Sequence, residues 1–206
     1  MTWFGLLRRG LEFRELRLIV IVVFGTTAAL LALVPPWSQW LPAVVVGILA
    51  WAPSEYVFHR FVLHARAPRQ PWLRKLHARL HWKHHKRPDA PHLLFVPLLG
   101  TVMLLALAAA VGHAVGGLPA ALGASLGASI ALFFYETTHL AAHVPYVPRT
   151  RYGRFLKRFH LLHHYKNERY WFGVTHPLGD FVARTWPARD AVERSKTART
   201  LGVDPV

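Results

Sequence analysis

The sequence predicts an all-α integral-membrane protein with four transmembrane helices, and three observations predict it. Of 206 residues, 53% are hydrophobic, yet 25 Lys and Arg against 10 Asp and Glu give a formal charge of +15. The apolar residues are gathered into long uncharged runs, and the basic residues lie between alternate runs only. This composition excludes disorder and collagen-like repeats, and zero cysteines exclude a disulfide scaffold or a thiolate metal site.

Residues 1–17 (MTWFGLLRRGLEFRELR) read as a basic amphipathic lead-in lying at the membrane interface. The first span follows at 18–34 (LIVIVVFGTTAALLALV), 17 uncharged residues ended by Pro35 and Pro36. It is longer than the core of a cleavable signal and leads into prolines rather than small residues, so it is read as retained. The second span covers about 41–58, the third about 93–111 and the fourth about 118–135. A soluble bundle would show apolar stripes at i, i+3 and i+4, whereas these runs are apolar all round. Residues 187–206 read as a polar C-terminal tail.

The basic residues number four before Leu18, nine within 60–92 and twelve within 136–206, which accounts for all 25; the connections 35–40 and 112–117 have none. Four passes put the basic segments together on one side, the positive-inside pattern, so both termini and the middle loop are expected in the cytoplasm. The expected location is a bacterial inner membrane or the endoplasmic reticulum. No nucleic-acid motif accompanies the basic residues, and nucleic acid is not expected as a partner.

Histidines, 14 in all, outnumber the acidic residues. His59 and His64 form H-x4-H; His77, His81, His84 and His85 form H-x3-H-x2-H-H; His139 and His143 form H-x3-H; His160, His163 and His164 form H-x2-H-H. On a helix, residues i and i+4 share a face, whereas adjacent residues point about 100° apart. The neighbours His84/His85 and His163/His164 therefore reach two centres more readily than one. His59 and His64 lie about 140° apart on a regular helix, which suits two metals or a distorted helix. The pattern asks for a dinuclear site. His92, His113 and His176 read as surface or interfacial residues. Imidazole suits iron, zinc, copper and nickel. Zinc would point to hydrolysis, and an iron pair with open positions to dioxygen activation.

The blocks EYVFHRFVLH (55–64), HARLHWKHHKRPD (77–89), YETTHLAAH (135–143) and HLLHHYKNERYWFGVTHPLGD (160–180) resemble the four signature blocks of the fatty acid hydroxylase, or sterol desaturase, superfamily. Within it they are most similar to the ceramide fatty acid 2-hydroxylases, over about residues 50–186. The resemblance implies a membrane domain at 18–186 with a cytoplasmic helical cap enclosing a polyhistidine dimetal site. Ten ligands carry over by motif position: His59, His64, His81, His84, His85, His139, His143, His160, His163 and His164. His77 is implied to orient a ligand or carboxylate, and Glu55, Glu136 and Asp180 to accept the second N–H of ligand imidazoles. Ten imidazoles over two metals give five each and leave a sixth position for oxygen.

The implied activity is hydroxylation of a lipid acyl chain, at carbon 2 of a fatty acid or ceramide, with two irons and dioxygen as co-substrate; zinc could fill the same ligands in purified protein. Eukaryotic 2-hydroxylases have an N-terminal cytochrome b5-like haem domain. Here about 17 residues precede the first span, so electrons are expected from a separate donor, cytochrome b5-like or ferredoxin-type. Carotenoid or sterol oxidation is the rival within the superfamily. A metal-binding or metal-transport protein is a remoter rival, because transport predicts ligands at membrane midplane rather than at span ends.

Overall fold

A computed structural model describes residues 1–34 and 36–202. Pro35, expected to end the first span, and residues 203–206 of the C-terminal tail lie outside the described residues. All regular elements among the described residues are helical. They form two compact units: one contains 1–7, 52–95 and 137 onward, the other 8–51 and 96–136.

The second unit contains most of the apolar sequence. Helix α1 (Trp3–Gly10) starts in the first unit and leads into α2 (Arg14–Leu33) of the second; α3 (Leu41–Val57) belongs to the second unit up to residue 51 and continues in the first as a π-helical turn, Phe58–Leu63. Helix α6 (Leu98–His143) supplies the rest, its residues up to 136 belonging to this unit. Among the described residues, three stretches are long and apolar enough to cross a membrane: Arg14–Leu33, Trp37–Leu63 and Pro91–His143. Ile21, Phe24, Leu31, Leu49, Met103 and Leu107 are exposed along them, as lipid-facing residues would be.

The third stretch has 53 residues, about 80 Å if straight, against a hydrocarbon core of about 30 Å. It is broken at Gly116 and Gly117, whose backbones are not helical; Gly117 has φ +66°, a region that only glycine enters freely. Pro119 then stands in the first turn of the next segment, where its missing N–H costs nothing. A Cβ at Gly112 would collide with the carbonyl of Ala120, so the chain doubles back at the break. The two apolar runs at 93–111 and 118–135 are thus separate helices joined tightly.

Packing in this unit relies on small residues. Gly123 and Gly127 form a Gly-x-x-x-Gly pair; a Cβ on either would strike a carbonyl, that of Trp40 or of Val44 on the neighbouring helix. Close backbone approach of this kind substitutes for the hydrophobic drive that lipid does not supply. Leu30, Val34, Val44 and Leu126 pack beside it, and the Trp40 indole donates to the Val34 carbonyl at 3.0 Å.

The first unit contains the remaining helices: α4 (Pro71–His77), a π-helical turn (Ala78–Trp82) and α5 (Lys83–Lys86) in one continuous rod, then α7 (Arg151–Tyr165) and α8 (Leu178–Val182). Thr150 caps α7 by accepting the Gly153 N–H. Lys157 donates to the carbonyls of Ala141, Val144 and Tyr146, closing the otherwise unpaired end of α6. The lead-in is anchored here, with Leu6 fully buried and Trp3 against Tyr146.

The contact at Gly127 sets a contrast that thermal unfolding in detergent can read. Gly127→Val should lower the melting temperature, by an overpacking cost of about 1–3 kcal/mol. Gly25→Ala, on a surface with nothing within 4 Å of the new methyl, should leave it unchanged or raised.

Candidate metal centre

Helix register brings the histidines together. His81/His85, His139/His143 and His160/His164 are each i and i+4, and each pair falls on one face. His59 and His64 are five apart, and the π-helical turn between them resolves the geometry: the His64 N–H bonds to the His59 carbonyl at 3.1 Å. An i to i+5 ladder puts both rings on one side. Of the two alternatives the spacing left open, the distorted helix is the one observed.

The result is two groups of five. His59, His64, His81, His85 and His163 form one; His84, His139, His143, His160 and His164 form the other. Within each group, one nitrogen from every ring lies within 4.8 Å of all the others. The adjacent residues His84 and His85 belong to different groups, as do His163 and His164. All ten are buried or nearly so.

Facing Nε2 atoms are separated by 2.9 Å (His64–His81), 3.1 Å (His64–His163) and 3.2 Å (His59–His81) in the first group. In the second they are separated by 2.9 Å (His143–His160), 3.0 Å (His84–His139) and 3.1 Å (His84–His164). Two imidazoles at right angles about an ion, each about 2.1 Å from it, place their nitrogens about 3.0 Å apart. The His85 Nε2, buried in the first group, has no hydrogen-bond partner. The donor set therefore fits a metal ion in each group.

The opposite edges of three rings are fixed by peptide carbonyls. His59 Nδ1–H donates to Phe172, His163 Nδ1–H to Tyr170 at 2.8 Å and His85 Nδ1–H to Ala198 at 2.9 Å. Each bond selects the tautomer that leaves Nε2 with its lone pair inward. Between Tyr170 and Phe172, Trp171 has φ +58° and is 1% exposed, its N–H held by the Thr185 carbonyl at 2.9 Å. A buried non-glycine residue in that region costs of order 1–3 kcal/mol, which the surrounding contacts must offset.

Those contacts come from the carboxylates, in a way that corrects the sequence expectation. Asp180 accepts the N–H of Phe172 at 2.9 Å and of Gly173 at 2.8 Å, and the Thr185 hydroxyl at 2.7 Å. Glu55 accepts the N–H groups of Val174 and Thr175 and the Thr175 hydroxyl. An irregular buried loop has peptide donors to satisfy, and carboxylates are the strongest acceptors within reach. Asp180 thus acts one link further from the rings than expected: it holds the loop whose carbonyls hold His59 and His163. Glu136 accepts the Val96 N–H at 2.8 Å in the other unit.

His77 lies outside both groups; it donates to the Val62 carbonyl, beside His64, and packs edge-on against Trp82 at 4.3 Å. His113 lies in the other unit, His92 bonds through its carbonyl to Arg79, and His176 accepts the Leu178 N–H. Sequence reasoning missed the carbonyls of Tyr170, Phe172 and Ala198, since a peptide carbonyl has no residue signature.

Burial, reinforced by neighbouring imidazoles, pushes His81, His84, His160, His163 and His164 well below the ordinary histidine range, and His85 to about 3. These rings are neutral at physiological pH, the form that binds metal. Unfolding returns them to about 6.5, so below that pH the unfolded chain takes up protons that the folded chain refuses. Stability of the metal-free protein should fall as pH drops from about 6.5 towards 3. Melting followed in detergent should show a lower transition at pH 5 than at pH 7.5, and added metal should raise it with concentration; a pH-independent transition would contradict this.

The family model for fatty acid hydroxylase matches residues 44–185. A dihydroceramide fatty acyl 2-hydroxylase of Arabidopsis thaliana is 33% identical over 156 residues, 76% of this chain and 65% of that protein. A fatty acid 2-hydroxylase of Rattus norvegicus is 29% identical over 84% of this chain and 47% of its own length. Among solved structures, full-length scs7p, of which only the hydroxylase domain is visible, superimposes with TM-score 0.73 at 29% identity, covering 86% of this chain and 66% of that one. The chain thus spans less than two thirds of these curated relatives' length. With the family match extending across all four histidine blocks and most of the chain, this protein belongs to the fatty acid hydroxylase family.

Proposed function

We propose that the chain is a membrane-bound, oxygen-dependent hydroxylase that uses two irons to insert one oxygen atom into a lipid acyl chain, at carbon 2 of a fatty acid or ceramide. The observation that carries this reading is the pair of five-imidazole groups, in a member of a family whose matched relatives are named as acyl 2-hydroxylases. A pair of irons held there would, with dioxygen, two electrons and two protons, supply an oxidant for an unactivated C–H bond, one oxygen atom going to substrate and the other to water. The ten histidines of the two groups hold the ions. The carbonyls of Tyr170, Phe172 and Ala198 keep three of those rings aimed inward, and Asp180 and Glu55 keep the 172–175 loop in place. Burial of the rings excludes bulk water from the reaction. Zinc held by the same nitrogens would lack the redox step.

The electrons come from a cytochrome b5-like or ferredoxin-type donor on a separate protein. The basic outer residues Arg151 and Arg158 of α7 suit an acidic one. Residues 18–186 form the catalytic membrane domain, with 1–17 and 187–206 flanking it. The break at Gly116–Gly117 and the segregation of basic residues support four crossings, with both termini and the histidine groups cytoplasmic.

Lipid mass spectrometry after expression in a host lacking the activity is the test: a new 2-hydroxy acyl species supports the reading, and an altered carotenoid or sterol overturns it. His163→Ala or His84→Ala should reduce product by more than roughly 100-fold, beyond the cost of losing an outer hydrogen bond; Asp180→Asn should fall within about 10–100-fold. The absence of cysteine makes topology directly readable. A cysteine at Val115, 84% exposed, should react with an impermeant maleimide from the extracytoplasmic side, and one at Lys196 only after permeabilisation.

A further inference from the structure

The sequence reading assigned residues 187–206 to a polar tail, but the segment Ser195–Arg199 is built into the site. Ala198 is 4% exposed, and its carbonyl accepts the His85 Nδ1–H at 2.9 Å. The next residue, Arg199, donates from Nε to the His85 carbonyl at 3.0 Å and from Nη2 to the Lys86 carbonyl at 2.8 Å. One dipeptide therefore grips both the ring and the backbone of the same histidine, at the end of α5 where carbonyls have no helical partner.

The segment is also tied to the end of α7. The Ser195 N–H bonds to the Lys166 carbonyl at 2.7 Å, and the hydroxyls of Ser195 and Thr197 both donate to Glu168, at 3.1 and 2.6 Å. The Arg199 guanidinium lies 5.4 Å from the centre of the Tyr165 ring. The staple spans α5 and α7, which between them carry five of the ten grouped histidines: His84, His85, His160, His163 and His164. Where the staple pulls, the two groups touch, since His85 of the first stacks on His164 of the second with centroids 4.1 Å apart.

We propose that Ser195–Arg199 is a positioning element of the first histidine group, fixing the ring plane and tautomer of His85 and thereby the affinity of that group for its metal. The inference rests on the reading that the groups hold metal. Of the first group's five rings, His59 and His163 are held by carbonyls of the 170–172 loop. The His85 ring packs against neighbouring histidines, and among the described residues the carbonyl that fixes its Nδ1–H comes from this tail, outside the 44–185 family segment. The consequence is site-selective: loosening the staple should weaken the first group and spare the second.

The test uses full-length protein loaded with Co(II), whose absorption reports imidazole ligation, with metal per chain counted after challenge by graded chelator. Unaltered protein should retain two ions. Arg199→Ala should lose one of them at about 10- to 100-fold lower chelator concentration, the usual cost of removing support from a metal ligand. Arg199→Lys should recover part of the difference, and Glu168→Gln with Thr197→Val should lose the same ion by freeing the other end. Lys196→Ala, on the exposed side of the segment, should behave as the unaltered protein. Two ions held with unchanged affinity in both the Arg199→Ala and the double variant, or equal weakening of both ions, would overturn the proposal. Unaltered protein that binds no cobalt would instead overturn the metal reading itself. If Arg199→Ala does not fold, the double variant gives the same site-selective readout.

Discussion

Ten imidazoles, buried or nearly so, turn ring nitrogens towards one another in two groups of five, and the loops and carboxylates around the first group serve that arrangement. Acceptors facing acceptors at 2.9–3.2 Å repel unless a proton or a cation lies between them. Burial opposes the proton on rings such as those of His85 and His163, so each group presents a donor set that a cation would fit. A helix scaffold alone does not hold rings in such an arrangement, because each would turn to find a hydrogen bond elsewhere. For three rings of the first group, His163, His59 and His85, the peptide carbonyls at 170, 172 and 198 prevent this by engaging the outer nitrogen, and Asp180 and Glu55 accept N–H groups of the 172–175 loop.

A hierarchy follows from that constraint. The innermost layer is histidine on helices, the next is backbone carbonyl on loops, and the outermost is carboxylate on backbone N–H. The left-handed Trp171 belongs to the middle layer: it lets residues 170 and 172 send their carbonyls to two rings of the same group. Strain of this sort persists where surrounding bonds over-determine the backbone, and here they do, from Asp180, Thr185 and Glu55 together. The second unit solves a different problem. Its glycines replace side-chain interdigitation with backbone contact, and its outward faces remain apolar.

Much of this was legible in the sequence, and the limits have physical causes. The apolar runs coincide with helices, and the glycine pair at 116–117 falls in the uncharged connection between the third and fourth runs. The i, i+4 histidines could be read directly because helix geometry fixes their face. His59 and His64 could not be, because whether a helix widens into a π turn depends on tertiary packing rather than on any local residue type. Glu55 and Asp180 were legible as acids beside the blocks, but their partners were not, since peptide N–H groups are the same at every position. The role of Ala198 was invisible for the same reason: an alanine in a polar stretch says nothing about where its carbonyl points.

The central claim is that the ten histidines make two separate all-imidazole metal sites. X-ray absorption on iron-loaded full-length protein, with iron and protein quantified on the same sample, tests it most directly. The account predicts two irons per chain, each surrounded by about five imidazole nitrogens at about 2.1 Å. One iron per chain, or a first shell dominated by carboxylate oxygen, would contradict it.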